Sequence, residues 1–261
     1  MAGDTDAGGM AILEKAGAII SALESEGEWT AAQISKEVDE PVSSTYRLLS
    51  TLMSLGWVDA GSKRGRYRLG VDVVRIGGLL EDQLDVRATA APVLQQLRDE
   101  TRGTAFLCVL RRDSAVCVER IGGRDVQSLE MRLGDSLPLY SGAAPRALLA
   151  FMPEKERGAV LARLADRRAR GEAIPSEREI LRDVEAARAC GYTISDQDVT
   201  FGIGGIGAPI YNHRGEIEGA ISVSGLRERV LGVEAAAAER VVVAAREISR
   251  ALGYLEAEEA A

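Results

Sequence analysis

PVSSTYRLLSTLMSLGWV, residues 41–58, runs directly into DAGSKRGRYRLG, residues 59–70, and on this stretch the reading of the 261-residue chain turns. It opens with Pro41 and a cluster of small hydroxyls. Leu48, Leu49, Leu52 and Leu55 then recur at helical spacing, which predicts a helix from about Val42 that Gly56 ends. Ser43, Ser44, Arg47, Ser50, Thr51 and Ser54 project from its other sides. Beyond the glycine, two short extended runs flank a glycine-rich basic turn, the pattern of a hairpin.

Working outward, Ile12, Leu13, Ala16, Ile19, Ile20 and Leu23 predict a first helix over about Gly9 to Glu26. GEW breaks it. Thr30 is a good N-cap for a short second helix, AAQISKEV, with Ile34 and Val38 inward, and DEP makes the turn into the third. Helix, short helix, tight turn, helix, basic hairpin is the order of a winged helix-turn-helix.

Charge singles out the same segment. The chain carries a formal −8. Residues 1–40 hold nine acids and two bases, whereas residues 41–70 hold Arg47, Lys63, Arg64, Arg66 and Arg68 against Asp59 alone. One short segment is basic inside an acidic protein, which argues against non-specific coating of nucleic acid and for a localised DNA face. Small hydroxyls at a helix N-terminus let the backbone approach a phosphate, where free N–H groups favour an anion. Arg47, one turn further in, suits a guanine edge or a phosphate, and the hairpin cations suit the flanking backbone. The expected DNA-binding residues are Thr30, Ser43, Ser44, Thr45, Tyr46, Arg47, Lys63, Arg64, Arg66 and Tyr67. A helical dimerisation module with a solvated basic turn would leave the charge reversal unexplained.

Hydrophobic content of 46% is ample for a core, and no apolar run approaches the length of a membrane span. MAGDTDAGGM lacks the features of a signal peptide, so a cytoplasmic protein is expected. Cys108, Cys117 and Cys190 are widely spaced and odd in number, as buried small hydrophobes rather than a disulfide or metal site.

Residues 71–84 read as a connecting helix weakened by Gly77 and Gly78, and VRATAAPVLQQLRDET as an amphipathic helix. AFLCVL and AVCVERI form a hairpin around RRDS. A helix covers AAPRALLAF, Ser176 and Glu179 form a capping box for the next, which stops at Gly191, and IGGIGAPIY and EIEGAISVSG pair around NHRG. A last helix spans about Val233 to Leu252. Strands paired by hairpins, with helices on one side, describe an α+β sensor domain of GAF-like type.

Gly202-x-Gly204-x-x-Gly207 matches a dinucleotide fingerprint, but APIYNH continues the strand where that motif needs a helix, so the glycines serve close backbone approach instead. His213 is the only histidine and sits in a turn. No nucleophile, base and orienting group can be assembled around it, so an enzyme is not expected. Asp196 and Asp198 suit a solvated loop with an Asx-turn better than acid–base chemistry. Ser222 and Ser224 share one face of a strand whose other face is apolar. They are either structural or the polar floor of a small-molecule pocket.

The chain resembles the IclR-type transcriptional regulators along nearly its whole length. The likeness rests on ILEKAGAIISAL, the 41–58 segment and GRYRLG, then on RLGDSLPLYSGAAPRALLAF, GIGGIGAPIYNHRGEIEGAISVSGL and a final ISRALG. It implies an N-terminal winged helix-turn-helix domain (1–70), a linker helix (71–85) and a C-terminal GAF-like effector-binding and oligomerisation domain (86–261). Partners would be a double-stranded DNA operator, a small organic effector, an aromatic acid among the candidates, and further copies of the chain in a dimer or dimer of dimers. No cofactor and no membrane are implied. The implied effector pocket comprises Leu129, Leu137, Ala143, Ala144, Ser195, Asp196, Ile203, Gly205, Ser222 and Ser224. Ser195 stands where many relatives carry an acid, with Asp196 next to it. Gly205 replaces a common cysteine, which should enlarge the pocket, Pro145–Arg146 replaces glycine–lysine, and Val42 replaces a basic residue. A sensor or ligand-processing enzyme acting without DNA is the alternative.

Overall fold

The computed structural model describes residues 4–75, 85–125, 131–232 and 236–255. The chain divides into two compact units between residues 84 and 85.

The first unit runs α1 (Asp4–Glu26), β1 (Trp29–Thr30), α2 (Ala31–Glu37), α3 (Val42–Ser54), β2 (Val58–Ala60) and β3 (Arg66–Leu69), followed by α4, whose described part is 71–75. Ile19 and Leu23 of α1, Ala31 and Ile34 of α2, Leu49 and Leu52 of α3, and Val58 close one core. Helix α1 begins before the expected Gly9, and Ile12 and Leu13 are exposed rather than packed. The inward stripe of α3 is Thr45, Leu49 and Leu52. Leu55, expected on that stripe, is the C-cap and lies exposed, because the helix has already ended. The turn at Gly56 has φ +72°, and a Cβ on Gly70 would stand 2.1 Å from the Gly56 carbonyl oxygen, so both positions need glycine. The expected hairpin is β2 with β3, and β1 adds a third strand beyond it, pairing Trp29 with Tyr67 and Thr30 with Arg66.

The second unit runs α5 (Val86–Thr101), β4 (Thr104–Arg111), β5 (Ser114–Ile121), β6 (Ser136–Pro138), α6 (Ala143–Phe151), α7 (Glu154–Ala169), α8 (Glu177–Cys190), β7 (Thr193–Asp196), β8 (Ile203–Tyr211), β9 (Ile217–Leu226), α9 (Arg227–Val230) and α10 (Ala237–Ala251). Its six antiparallel strands are ordered β6-β5-β4-β9-β8-β7. Helices cover both faces, not one. Phe106, Cys108, Cys117 and Ala220 meet α6, α7 and α8, while α5 and α10 pack together across β4, β8 and β9 on the opposite face. The alternation of β9 requires this, since Ile221 and Val223 are fully buried opposite the serine side of the strand.

Both capping boxes close, Thr30 with Gln33 and Ser176 with Glu179, and Gly191 ends α8 at φ +83°. Helix α7 gives no clear periodicity in the sequence because charge dominates it. Only Val160, Leu161, Leu164 and Arg157 turn inward, and the buried Arg157 donates to the carbonyls of Ala150 and Met152.

Candidate functional site

The first candidate surface is the α3 edge and the β2–β3 turn. Because Pro41 supplies no side-chain cap, the first turn of α3 keeps free backbone donors. Val42, Ser43, Tyr46 and Arg47 are exposed there and Ser44 is half-buried. Thr45 is not at the surface. It is fully buried and its hydroxyl donates to the Pro41 carbonyl at 3.2 Å, so it builds the helix rather than the face. The Thr30 hydroxyl is engaged in the α2 capping box.

In the hairpin turn, Lys63 and Arg64 are exposed and Gly65 takes φ +80°. Arg66 departs from expectation. It is half-buried and donates to the Glu28 carbonyl at 3.0 Å, tying β3 to the entry of β1, while Tyr67 packs against the core. Arg68 is the exposed strand cation. Glu28 was not foreseen. Its carboxylate accepts from the Ser62 N–H and the Ser62 hydroxyl, both at 2.8 Å, which holds its pKa below the usual glutamate range.

The second candidate is a cavity of about 50 Å³ between α6 and the sheet, lined in part by Leu137, Ala143, Ala144, Ser195, Ile203, Ser222 and Ser224. These seven of the ten expected residues converge there. Leu129 lies outside the described residues. Asp196 does not take part: β7 alternates, so Ser195 is buried while Asp196 is exposed and forms a bidentate pair with Arg227 at 2.6 and 2.8 Å, which lowers its pKa. Gly205 does not enlarge the pocket. A Cβ there would stand 2.9 Å from Ser224 Oγ and 3.3 Å from Ala143 Cβ, so the space is already filled.

Asp198, not Asp196, is the acid that reaches the start of α6. It accepts from the Gly142 N–H at 2.9 Å and from the Ser195 hydroxyl and forms an ion pair with Arg146 Nη2 at 3.0 Å, and so is an anchor rather than a solvated loop residue. The glycine run of β8 explains how α6 comes so near the strands. A Cβ on Gly207 would sit 2.6 Å from the Ala143 carbonyl carbon and 2.9 Å from Ala144 N. Helix α6 therefore lays its first turn on the sheet, with Ala143 and Ala144 as its first residues and Pro145, which has no N–H, next.

Hydrogen bonding separates this pocket from the rest of the core. The buried hydroxyls of Thr45, Thr193, Ser195 and Ser249 all donate within the protein, and Thr104 accepts from the Gly123 N–H. Ser222 is 4% exposed, and among the described residues neither its hydroxyl nor that of Ser224 has a partner. Beside them stand the N–H groups of Ala143 and Ala144, which no intrahelical carbonyl satisfies. Such a cluster accepts an anionic oxygen.

Residues 12–60 match the IclR helix-turn-helix domain and residues 80–250 match the bacterial transcriptional regulator IclR C-terminal domain. The chain belongs to the IclR family. Among IclR relatives, it is 31% identical over 215 residues to the HTH-type transcriptional regulator KipR of Bacillus subtilis, covering 82% of this chain and 86% of that one. It is 29% identical over 247 residues to the HTH-type transcriptional repressor AllR of Escherichia coli, covering 94% and 91%. The crystal structure of Pseudomonas aeruginosa HmgR superposes with a TM-score of 0.78 at 25% identity, covering 93% of this chain and 98% of that one. As an IclR protein the chain is a ligand-responsive, DNA-binding transcriptional regulator and not an enzyme.

Proposed function

We propose that this regulator answers to a small organic acid whose carboxylate sits on the first turn of α6. The observation that carries the reading is Ser222, a residue 4% exposed whose hydroxyl opens to the cavity without a protein partner, beside two orphan backbone donors. A hydrogen bond from such a hydroxyl to a charged acceptor is worth about 1.5–3 kcal/mol. The helix N-terminus adds positive potential. Phe106, Leu137 and Ile203 supply apolar walls. A cavity of about 50 Å³ favours a short-chain acid over an aromatic one.

The DNA face is assigned to Ser43, Ser44, Tyr46 and Arg47 at the edge of α3 and to Lys63, Arg64 and Arg68 of the wing. DNA binding resides in 1–70, effector binding in 86–261, and 71–85 joins them. The chain acts as a homodimer or dimer of dimers on a palindromic or repeated operator, and the exposed Ile12 and Leu13 of α1 suit burial against a second copy. It works in the cytoplasm, where operator and effector meet. Among the described residues no helix is long and apolar enough to cross a membrane.

The deciding experiment follows retardation of an operator fragment from the chain's own upstream region while organic acids of two to six carbons are titrated. Wild type responds to at least one acid. Ser222→Ala binds the fragment equally well and responds only at higher acid concentration. An unchanged response in Ser222→Ala would remove the pocket from the mechanism.

A further inference from the structure

Helix α6 has a second cavity on its other side, and it is the larger. About 170 Å³ of space lies between α6, α8 and β7, walled by Leu149, Ile180, Val184 and Ala187. None of these four residues lines the pocket above Ser222. At the polar end stand Arg146 and Asp183.

Their geometry is unusual for an ion pair. Arg146 gives its Nε–H to the Tyr140 carbonyl at 3.0 Å, an Nη1–H to the Ile194 carbonyl at 3.0 Å, and Nη2 to Asp198 at 3.0 Å. A guanidinium has five N–H donors, so a second Nη1–H remains beside the one given to Ile194. Asp183 has its Oδ1 held by Arg182 at 3.1 Å, and its Oδ2 stands 3.7 Å from Arg146 Nη1, beyond hydrogen-bond range. A donor and an acceptor therefore lie side by side at the head of an apolar slot without satisfying one another.

We propose that this cavity is a second small-molecule site, separate from the acid pocket, for an uncharged ring compound bearing a carboxamide or lactam. An amide presents an acceptor and a donor about 2.3 Å apart, which complements the Arg146 Nη1 and Asp183 Oδ2 pair. Charge excludes the alternatives. An acid would face the carboxylates of Asp183 and Asp198 across a single guanidinium, and an amine would face the guanidinium itself. The space holds roughly ten water-sized atoms, enough for one ring and its amide. Arg146 also pairs with Asp198, whose carboxylate caps Gly142 at the acid pocket, so Arg146 links the two cavities through Asp198.

Cys190 lines the cavity and is the exposed cysteine, Cys108 and Cys117 being buried. It reports occupancy in the unmodified full-length protein. The rate at which an aromatic disulfide reagent modifies Cys190 is measured with rising benzamide, and benzoate serves as the charged control. Benzamide slows the reaction saturably and benzoate does not. Asp183→Ala, at a half-exposed position, raises the half-protecting benzamide concentration about tenfold, and Val184→Phe, which fills the slot, abolishes protection. Ser222→Ala with Ser224→Ala leaves benzamide protection intact, so this proposal and the acid pocket fail separately. The proposal is overturned by an unchanged rate up to the solubility limit of benzamide, by equal protection from benzoate, or by full protection in Asp183→Ala. It is equally overturned if Cys190 reactivity falls with protein concentration alone, which would give the cavity to a second copy of the chain.

Discussion

The two halves of this regulator present their working groups in opposite ways. On the first unit, Arg47, Lys63, Arg64 and Arg68 stand in solvent as permanent charges, with free helix-terminal donors beside the arginine. In the second unit the working groups are neutral, withdrawn from solvent and short of hydrogen bonds: the buried Ser222, the half-buried Ser224 and the first N–H groups of α6. The difference follows from the partners. A polyanion keeps most of its hydration and is met by exposed cations through counterion release. A small acid must be desolvated, so its site stores unmet hydrogen-bonding capacity inside the protein.

The largest effect is expected where permanent charge is removed. Arg47→Ala, Lys63→Ala and Arg64→Ala together should weaken operator binding by about 4 kcal/mol or more, roughly a thousandfold, and flatten its salt dependence by up to about 0.9 for each phosphate that is no longer neutralised. Effector affinity should not change. Both tryptophans, Trp29 and Trp57, lie in the first unit, so their emission verifies that this unit remains folded in the full-length variant. A footprint that survives the triple substitution would erase the contrast.

Next is the packing that brings α6 onto the sheet. Gly207→Ala would place a Cβ 2.6 Å from the Ala143 carbonyl carbon, a backbone atom that cannot swing aside. Overpacking of this kind costs about 1–3 kcal/mol. It should lower the calorimetric midpoint of the second unit and abolish effector response by displacing the Ala143 and Ala144 donors, with tryptophan emission unchanged.

The pocket serines give a prediction whose two readouts separate. Ser222→Ala should cost about 1.5–3 kcal/mol of effector affinity if the hydroxyl bonds a charged group. Without effector the thermal midpoint should hardly change, because the hydroxyl opens to the cavity and holds no other part of the protein. Lower affinity together with a lower midpoint would instead indicate a structural serine.

The same opposition explains what could be read from the chain. The helix-turn-helix, the hairpins, the N-cap at Thr30 and the capping box of Ser176 and Glu179 were legible because periodicity, caps and glycines are local. The charge reversal at residues 41–70 located a DNA face, and seven pocket residues followed from the family resemblance. Orientation set by tertiary contacts was hidden. Arg66 and Arg68 are alike in the sequence and two residues apart in one strand, yet only Arg66 reaches the Glu28 carbonyl while Arg68 stands in solvent. Asp196 and Asp198 likewise sit two residues apart, and Arg227 takes the first while the start of α6 and Arg146 take the second. Gly205 suggested empty space because its neighbours, Ser224 and Ala143, arrive from distant segments. Helix α7 and β1 carried too little pattern, one being highly charged and the other two residues long.

The smallest effect tests whether the first unit too has a buried-style clasp behind its exposed charges. Glu28 holds the wing turn through two bonds to Ser62, with the Ser62 N–H the larger cause of its lowered pKa and the hydroxyl next. A carboxyl whose folded pKa is depressed contributes stability above its unfolded pKa, about 4.3, and loses it as pH falls through the lower folded value. Wing anchoring should therefore be complete at neutral pH and fade only below about pH 4. Glu28 lies half-buried at the surface, where solvent screens its charge, so the change should be slight. Because Trp29 adjoins Glu28, tryptophan emission of the full-length protein between neutral and acid pH should show a shallow transition in wild type that Glu28→Gln lacks. Operator affinity at neutral pH should fall modestly in that variant, since Lys63 and Arg64 would lose the turn that aims them. An emission profile identical in both proteins would mean that Ser62 and Arg66 hold the wing without the carboxylate charge.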